Sequence, residues 1–301
     1  MSDFLKTAVE AARIGGAIHR QYYGKPIDVK YKSKGPLNLV TEVDHKCEKA
    51  IFSHLKKAYP RHSLWGEESG RGKKAEYTWI VDPLDGTTNY AHGYPFFCTS
   101  VALVKEDHPV AGAIFDAVSG ELFTAERGEG AELNGKTLRV SSIPQLDRSL
   151  LATGFAYGVR ETGYNLDNFK RFVLAAQGVR RDGSAALNLA YLAAGRFDGF
   201  WERGIQAWDM AAAVLMIQEA GGVVTDITGE AWNLYGENAL ASNGRIHKAM
   251  LDLLSTGPDE RRWRVRQAKN AAKKEPPGEI QQTITSDLPL FAVRSKGKKK
   301  K

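Results

Sequence analysis

An α/β fold is predicted by three features of this 301-residue sequence. Along its first 255 residues the apolar positions switch repeatedly between helical and strand spacing. Turn-forming residues punctuate each switch, and 43% apolar content is enough to bury a full core. The chain divides into a body, 1–255, with lobes of about 1–145 and 146–255, and a basic tail, 256–301.

The elements follow in order. Met1 to Tyr23 sets Asp3, Lys6, Glu10, Arg13 and Arg20 among apolar positions, an amphipathic helix rather than the apolar block of a signal peptide. Val43, Cys47, Ala50, Ile51, Leu55 and Ala58 recur at helical spacing until Pro60 ends the pattern. Strands are expected at 78–82, 97–104, 110–117 and 120–125, with a hairpin about Asn134-Gly135. The second half interleaves strand-like 149–153, 179–182, 197–201, 222–226 and 239–242 with helical 165–177, 185–195, 208–220 and 245–255. No stretch approaches the length of a bilayer span, and a cytoplasmic location is expected. Cys47 and Cys98 read as buried, reduced thiols.

Charge is unevenly placed. The net +7 arises from residues 256–301, where thirteen Lys/Arg face five Asp/Glu, leaving the body at −1. That composition, with Pro276-Pro277 and the terminal Lys298 to Lys301, favours disorder, with a basic helix at 260–274 forming only against a partner.

Residues 79 to 90, Trp-Ile-Val-Asp-Pro-Leu-Asp-Gly-Thr-Thr-Asn-Tyr, carry the chemistry. An apolar strand is expected to end at Asp82, where Pro83 removes a ladder donor, and Asp85 follows with Gly86 and Thr87. Two carboxylates at a strand end suit a hard divalent cation. The N–H groups of Gly86, Thr87 and Thr88 at a helix start suit an anionic oxygen. Metal plus phosphate is the inference.

Two further segments raise its specificity: Gly66-Glu67-Glu68-Ser69, and Trp208-Asp209 opening an Ala-rich helix that runs to Glu219-Ala220-Gly221-Gly222. With these three motifs in order, residues 1 to about 255 resemble the inositol monophosphatase family, most closely its bacterial members. The resemblance implies a layered α-β-α-β-α sandwich with an antiparallel N-terminal lobe and a mixed-sheet C-terminal lobe. It implies Mg²⁺-dependent hydrolysis of inositol 1-phosphate by water, without a covalent intermediate, in a homodimer. Glu67, Asp82 and the Leu84 carbonyl would hold one Mg²⁺, and Asp82, Asp85 and Asp209 a second. A weaker third would sit on Glu67. Thr87 and Asp44 would orient and help deprotonate the attacking water, and Glu68 would orient its neighbours. Asp85, Gly86, Thr87, Ala185, Glu202 and Asp209 would contact the substrate. Some inhibition by Li⁺ is also implied.

Simple structural roles compete at three of these positions. Asp44 and Asp209 each suit a helix cap, and Glu202 an exposed strand-end charge. The loop Lys32-Ser33-Lys34-Gly35-Pro36-Leu37-Asn38 departs from the family by carrying Asn38 where many relatives have Asp, and leaves open whether Lys32 or Lys34 is the loop lysine. The seven histidines read as surface or packing residues.

Leu84-Asp85-Gly86-Thr87 also echoes the haloacid dehalogenase phosphatases, but Pro83 occupies the place of their nucleophilic Asp. Fructose-1,6-bisphosphatase, histidinol-phosphatase and nucleotide 3′-phosphatase activities are alternatives on the same core, with Thr88-Asn89-Tyr90 favouring the inositol type. A reading of another class is an RNA or ribonucleoprotein contact through the basic tail.

Overall fold

The expected alternation is realised in the computed structural model, which describes residues 1–32 and 38–256. The first half contains α1 (Asp3–Tyr22), β1 (Val29–Tyr31), β2 (Leu39–Thr41), α2 (Glu42–Ala58), β3 (Ser63–Gly66), β4 (Gly70–Arg71), β5 (Tyr77–Asp85) and α3 (Thr87–Ala91). It continues with β6 (Cys98–Lys105), β7 (His108–Asp116), β8 (Glu121–Glu126), β9 (Gly130–Leu133) and β10 (Lys136–Thr137). The second half contains β11 (Leu150–Thr153), α4 (Val159–Thr162), α5 (Leu166–Ala175), β12 (Gly178–Arg180), α6 (Ala185–Ala193) and β13 (Gly199–Arg203). α7 (Ala207–Glu219), β14 (Val223–Thr225), β15 (Asn238–Ser242) and α8 (His247–Ser255) complete it. The basic helix expected at 260–274, the rest of the tail beyond Thr256, and Lys34 lie outside the described residues.

Eight strands form one sheet, ordered β10-β9-β8-β7-β6-β5-β3-β4, and five form another, β12-β11-β13-β15-β14. The first is antiparallel except for the β3–β5 pair, so the expectation of an antiparallel first lobe needs that correction. The second is mixed, with β11 parallel to both neighbours. α1 and α2 cover one face of the large sheet, α6 and α7 lie between the sheets, and α5 and α8 cover the far side, giving five layers.

α7 shows why the middle layer holds. Nine of its thirteen residues are buried, so it is apolar nearly all round, as a helix enclosed by two sheets must be. Each large apolar side chain buried there contributes roughly 1.5 to 3 kcal/mol before chain entropy is subtracted. The expected turn at Asn134-Gly135 forms with both residues at positive φ, the geometry of a type I′ hairpin.

Candidate active site

β5 does not stop at Pro83. Asp82 pairs with Ser100 and Asp85 with Cys98, so three residues on β5 span two on β6, and the extra residue makes a bulge. Proline fits there because the irregularity needs no N–H donor, and pairing resumes at Asp85, two residues later. The bulge frees the Pro83 carbonyl, which accepts from His19 Nε2 at 2.8 Å and Thr99 Oγ1 at 3.3 Å. Burial pulls His19 down to about 4, against the opposing hydrogen bond, so a neutral imidazole pins the bulge to α1. This histidine does more than pack. Leu84 N donates to Asp82 Oδ1 at 3.0 Å, and Gly86, at φ +98°, turns the chain into α3. A side chain at Gly86 would also meet the Phe96 carbonyl at 2.9 Å.

Asp82, Asp85 and Asp209 offer carboxylate oxygens that all lie within 4.8 Å of one another. Burial, and then the charges of Glu67, Asp85 and Asp209, push Asp82 well above the usual carboxylate range. Burial followed by Asp85 and Glu67 does the same to Asp209. Asp85 rises only to about 6, because donors oppose its burial. They are Ser184 Oγ at 2.5 Å, Ala186 N at 2.7 Å and Ala185 N at 3.3 Å, at the start of α6. The Cys98 thiol, 3.9 Å from Asp85, is buried and pushed up by burial, and Cys47 is likewise buried and free.

Asp44 stands behind this group. Its Oδ2 accepts from Thr41 N at 2.8 Å and Thr41 Oγ1 at 2.5 Å, closing a capping box on α2, while Oδ1 accepts from Thr87 Oγ1 at 3.1 Å. The helix-cap contacts and the contact to Thr87 therefore use different oxygens. Thr87 Oγ1 also lies 3.0 Å from the Leu84 carbonyl. A hydroxyl has one proton, so it serves these two acceptors alternately. Burial raises Asp44 to about 6 against its Thr41 donors.

Asp82, Leu84, Asp85, Gly86 and Thr87 line a cavity of about 370 Å³, which Glu67, Ala185, Glu202 and Asp209 close. Glu67 is on the cavity wall but outside the group of three. Its Oε1 accepts from Lys32 Nζ at 2.8 Å, and Glu68 Oε1 accepts from the same nitrogen at 2.6 Å. Burial alone would lower the Lys32 ammonium, but the two carboxylates outweigh it and hold it charged. Lys32 thus reaches the site, and Asn38 lines the same cavity. Glu68, raised to about 7 by burial, is tethered by its N–H to Glu48 Oε2 at 3.0 Å.

Glu202 is not an exposed strand-end charge. β13 starts two residues later than expected and ends at Arg203, which buries Glu202 and pushes it up to about 8, opposed by the charge of Arg181. Gly154 leaves it room, since a Cβ there would fall 2.2 Å from its Oε2. Arg181 and the half-exposed Tyr157 also line the cavity, beyond the residues expected from the sequence. The Arg180-Arg181 pair just before Gly183-Ser184-Ala185-Ala186 was the available signal for the first; Tyr157 carried none.

A family model described as "Inositol monophosphatase family" matches residues 1–257. "Nus factor SuhB" of Pseudomonas aeruginosa is 43% identical over 259 residues, covering 83% of this chain and 95% of that one. "Inositol-1-monophosphatase" of Synechocystis is 39% identical over 277 residues, covering 91% and 95%. Among solved structures, extragenic suppressor protein suhB of Bartonella henselae superposes with a TM-score of 0.80 at 42% identity, covering 85% of this chain and 99% of that one. Inositol monophosphatase of Anabaena gives 0.77 at 41%, covering 86% and 98%. The chain belongs to the inositol monophosphatase family of phosphatases.

Proposed function

We propose that the protein hydrolyses the phosphomonoester of a small polyol, inositol 1-phosphate, by Mg²⁺-dependent attack of water with no covalent intermediate. The observation that carries this reading is the convergence of Asp82, Asp85 and Asp209 within 4.8 Å. Three carboxylates, two buried and Asp209 partly so, that raise one another's proton affinity are relieved by a cation, and their all-oxygen donor set suits Mg²⁺ rather than zinc. Asp82, Asp85 and Asp209, with Glu67 and the Leu84 carbonyl, would hold two ions, and Glu67 a weaker third. Binding at Glu67 would part it from Lys32. When bound, the Mg²⁺ ions neutralise the phosphate dianion and acidify water.

The chain's own groups supply the rest. The Thr87 hydroxyl orients water, and Asp44, largely ionised at neutral pH with an acidity near 6, takes its proton. The Gly86 and Thr87 N–H groups receive phosphate oxygens. Asp85, Ala185, Glu202 and Asp209 meet the polyol, and Glu202, raised to about 8, is protonated at neutral pH and can both donate to and accept from vicinal hydroxyls. Arg181 adds a cation on the cavity wall.

Phosphate release from inositol 1-phosphate, measured beside fructose 1,6-bisphosphate, histidinol phosphate and a nucleotide 3′-phosphate with and without Mg²⁺, tests the reading. Turnover undiminished in EDTA, or a trapped phosphoaspartate, overturns it. A homodimer in the cytoplasm fits this reading, and light scattering checks the assembly. Among the described residues no helix is long and apolar enough to cross a membrane.

A second reading adds an RNA or ribonucleoprotein contact through the tail, favoured by its net +8 and by relatives named Nus factor. Binding of an RNA probe that weakens steeply with salt supports it, because released counterions scale with the cations engaged.

A further inference from the structure

Trp65 and Trp208 meet edge to face, their ring centroids 6.2 Å apart and their planes at 82°. Trp65 lies on β3 two residues before Glu67, and Trp208 immediately precedes Asp209. Together they form a wall between two spaces. Trp208 lines the cavity of the carboxylates, and Trp65 lines a second cavity of about 550 Å³ on the outer side.

The outer side of this wall is clipped in place. Tyr235 stacks on Trp65 at 5.9 Å and 18°. Arg71 is the cross-strand partner of Trp65 in the β3–β4 pair, with its guanidinium carbon 5.1 Å from the Trp65 ring centre and 4.8 Å from that of Tyr235. Arg71 Nη2 donates to the Tyr235 hydroxyl at 2.7 Å, which in turn donates to Asp107. Tyr235 N donates to Asn233 Oδ1 at 2.9 Å. On the inner side Ser100 Oγ donates to the Trp208 carbonyl at 3.3 Å.

The two carboxylates on either side of the wall differ in support. Asp209 stands on α7, enclosed in the core. Glu67 stands on the turn of a hairpin whose outer strand, β4, has two residues and forms the edge of the sheet. A hairpin that short is marginal by itself, so its position depends on what fastens it.

We propose that Arg71 and Tyr235 are positioning residues, an aromatic and cationic clip that sets the spacing of Glu67 from Asp209 through the Trp65–Trp208 wall. Neither touches the carboxylates. The inference rests on reading those carboxylates as the metal site, where misplacement of a ligand by about 1 Å is costly.

The test is a calorimetric titration of the full-length protein with Mg²⁺ alone, for the wild type, Arg71→Ala, Tyr235→Ala and Tyr235→Phe, with thermal unfolding and phosphatase assays in parallel. Arg71→Ala and Tyr235→Ala should weaken Mg²⁺ binding roughly three- to tenfold, below or at the foot of the range for groups that directly support a ligand. The Mg²⁺ concentration for half-maximal activity should rise by the same factor, with kcat at saturating Mg²⁺ within about twofold of wild type. Tyr235→Phe, which keeps the stack and loses the hydroxyl, should fall between. If Arg71→Ala does not fold, Arg71→Lys, which keeps the charge and loses the planar stack, decides in the same way. Lowered Tm with unchanged Mg²⁺ affinity in both alanine variants overturns the proposal by showing a purely structural clip. A wild-type protein that binds no Mg²⁺ instead brings down the reading of the carboxylates themselves.

Discussion

At the start of α2 the third residue, Asp44, accepts from the Thr41 N–H at 2.8 Å; at the start of α7 the third residue, Asp209, accepts from the Gln206 N–H at the same distance. Both are acidic residues in a helix's first turn, where the dipole favours negative charge. Their free sides differ. Asp44 has one neighbouring hydroxyl, Thr87, and rises to about 6. Asp209 has two neighbouring carboxylates and is pushed further up. Helix capping thus fixes where each carboxylate points, and the company on its other oxygen fixes what chemistry is open to it. On the proposed reading, one handles a proton and the other attracts a cation.

The largest effect should come from removing that cation-attracting charge. Asp209→Asn keeps an acceptor for the Gln206 N–H but takes one charge from the trio, and Asp82→Asn does the same at its centre. Each should lower kcat more than about a hundredfold and weaken calorimetric Mg²⁺ binding strongly. The metal-free variants should unfold at equal or higher temperature than wild type, since a repulsive charge has gone. Near-wild-type kcat in either variant breaks the contrast between the two helix starts.

Next in size are changes at the proton-handling end. Thr87→Ala and Asp44→Asn should depress kcat by roughly ten- to a hundredfold, while Mg²⁺ affinity changes far less than in Asp209→Asn. An enzyme that loses metal in proportion to activity at Thr87 would place that residue on the cation side of the comparison.

The sequence made this division only half legible. Asp82, Asp85 and Asp209 were readable because their motifs are contiguous and their residue types have few other uses in that company. In the sequence Asp44 shows only as a choice between a cap and a catalytic role, since nothing in a linear spacing says that its two oxygens meet different partners. Pro83 is ambiguous in sequence for a related reason: proline lacks a donor in any context, but whether the strand ends or bulges depends on β6 opposite. β1 to β4 leave no signal in the sequence because strands of two to four residues are too short to show a period. Lys32, Arg181 and Tyr157 reach the cavity from loops and a strand end, where placement is decided by tertiary contacts.

Acidity offers a third, more moderate test. Asp44 and Asp85 are both held near 6 when folded, above the ordinary value of about 4, so the unfolded chain releases these protons first as pH rises. On account of these carboxylates the metal-free protein should lose stability as pH rises from about 4 through 6, with Glu202, held near 8, extending the loss to about 8, while His19, held near 4 against an ordinary 6.5, offsets part of the loss below about 6.5. Thermal unfolding in EDTA should show a Tm several degrees lower at pH 8 than at pH 5, and Mg²⁺ should remove most of that fall by binding the ionised trio. Asp44→Asn should flatten the portion between 4 and 6 only in part, because Asp85 titrates there too. A Tm in EDTA that climbs between about pH 6.5 and 8, above the range in which His19 adds stability, shows that the carboxylates are not held up by burial.

The smallest effects separate the two caps themselves. Thr41 contributes a side chain to its helix start: Oγ1 accepts from Val43 N at 3.1 Å and donates to Asp44 Oδ2 at 2.5 Å. Gln206 serves Asp209 through its backbone N–H, which an alanine would retain. Thr41→Ala should then cost about 1 kcal/mol, the usual loss for a threonine cap, and Gln206→Ala about half of that or less. Thr41→Ala has a further consequence at Asp44. Losing a donor to the ionised carboxylate raises its proton affinity, so the acid limb of the pH–rate profile should move to higher pH, while Gln206→Ala leaves that limb in place. A profile unmoved by Thr41→Ala would mean that Asp44 does not govern the acid limb, and the two helix starts would then differ in the charges around them without differing in the step they serve.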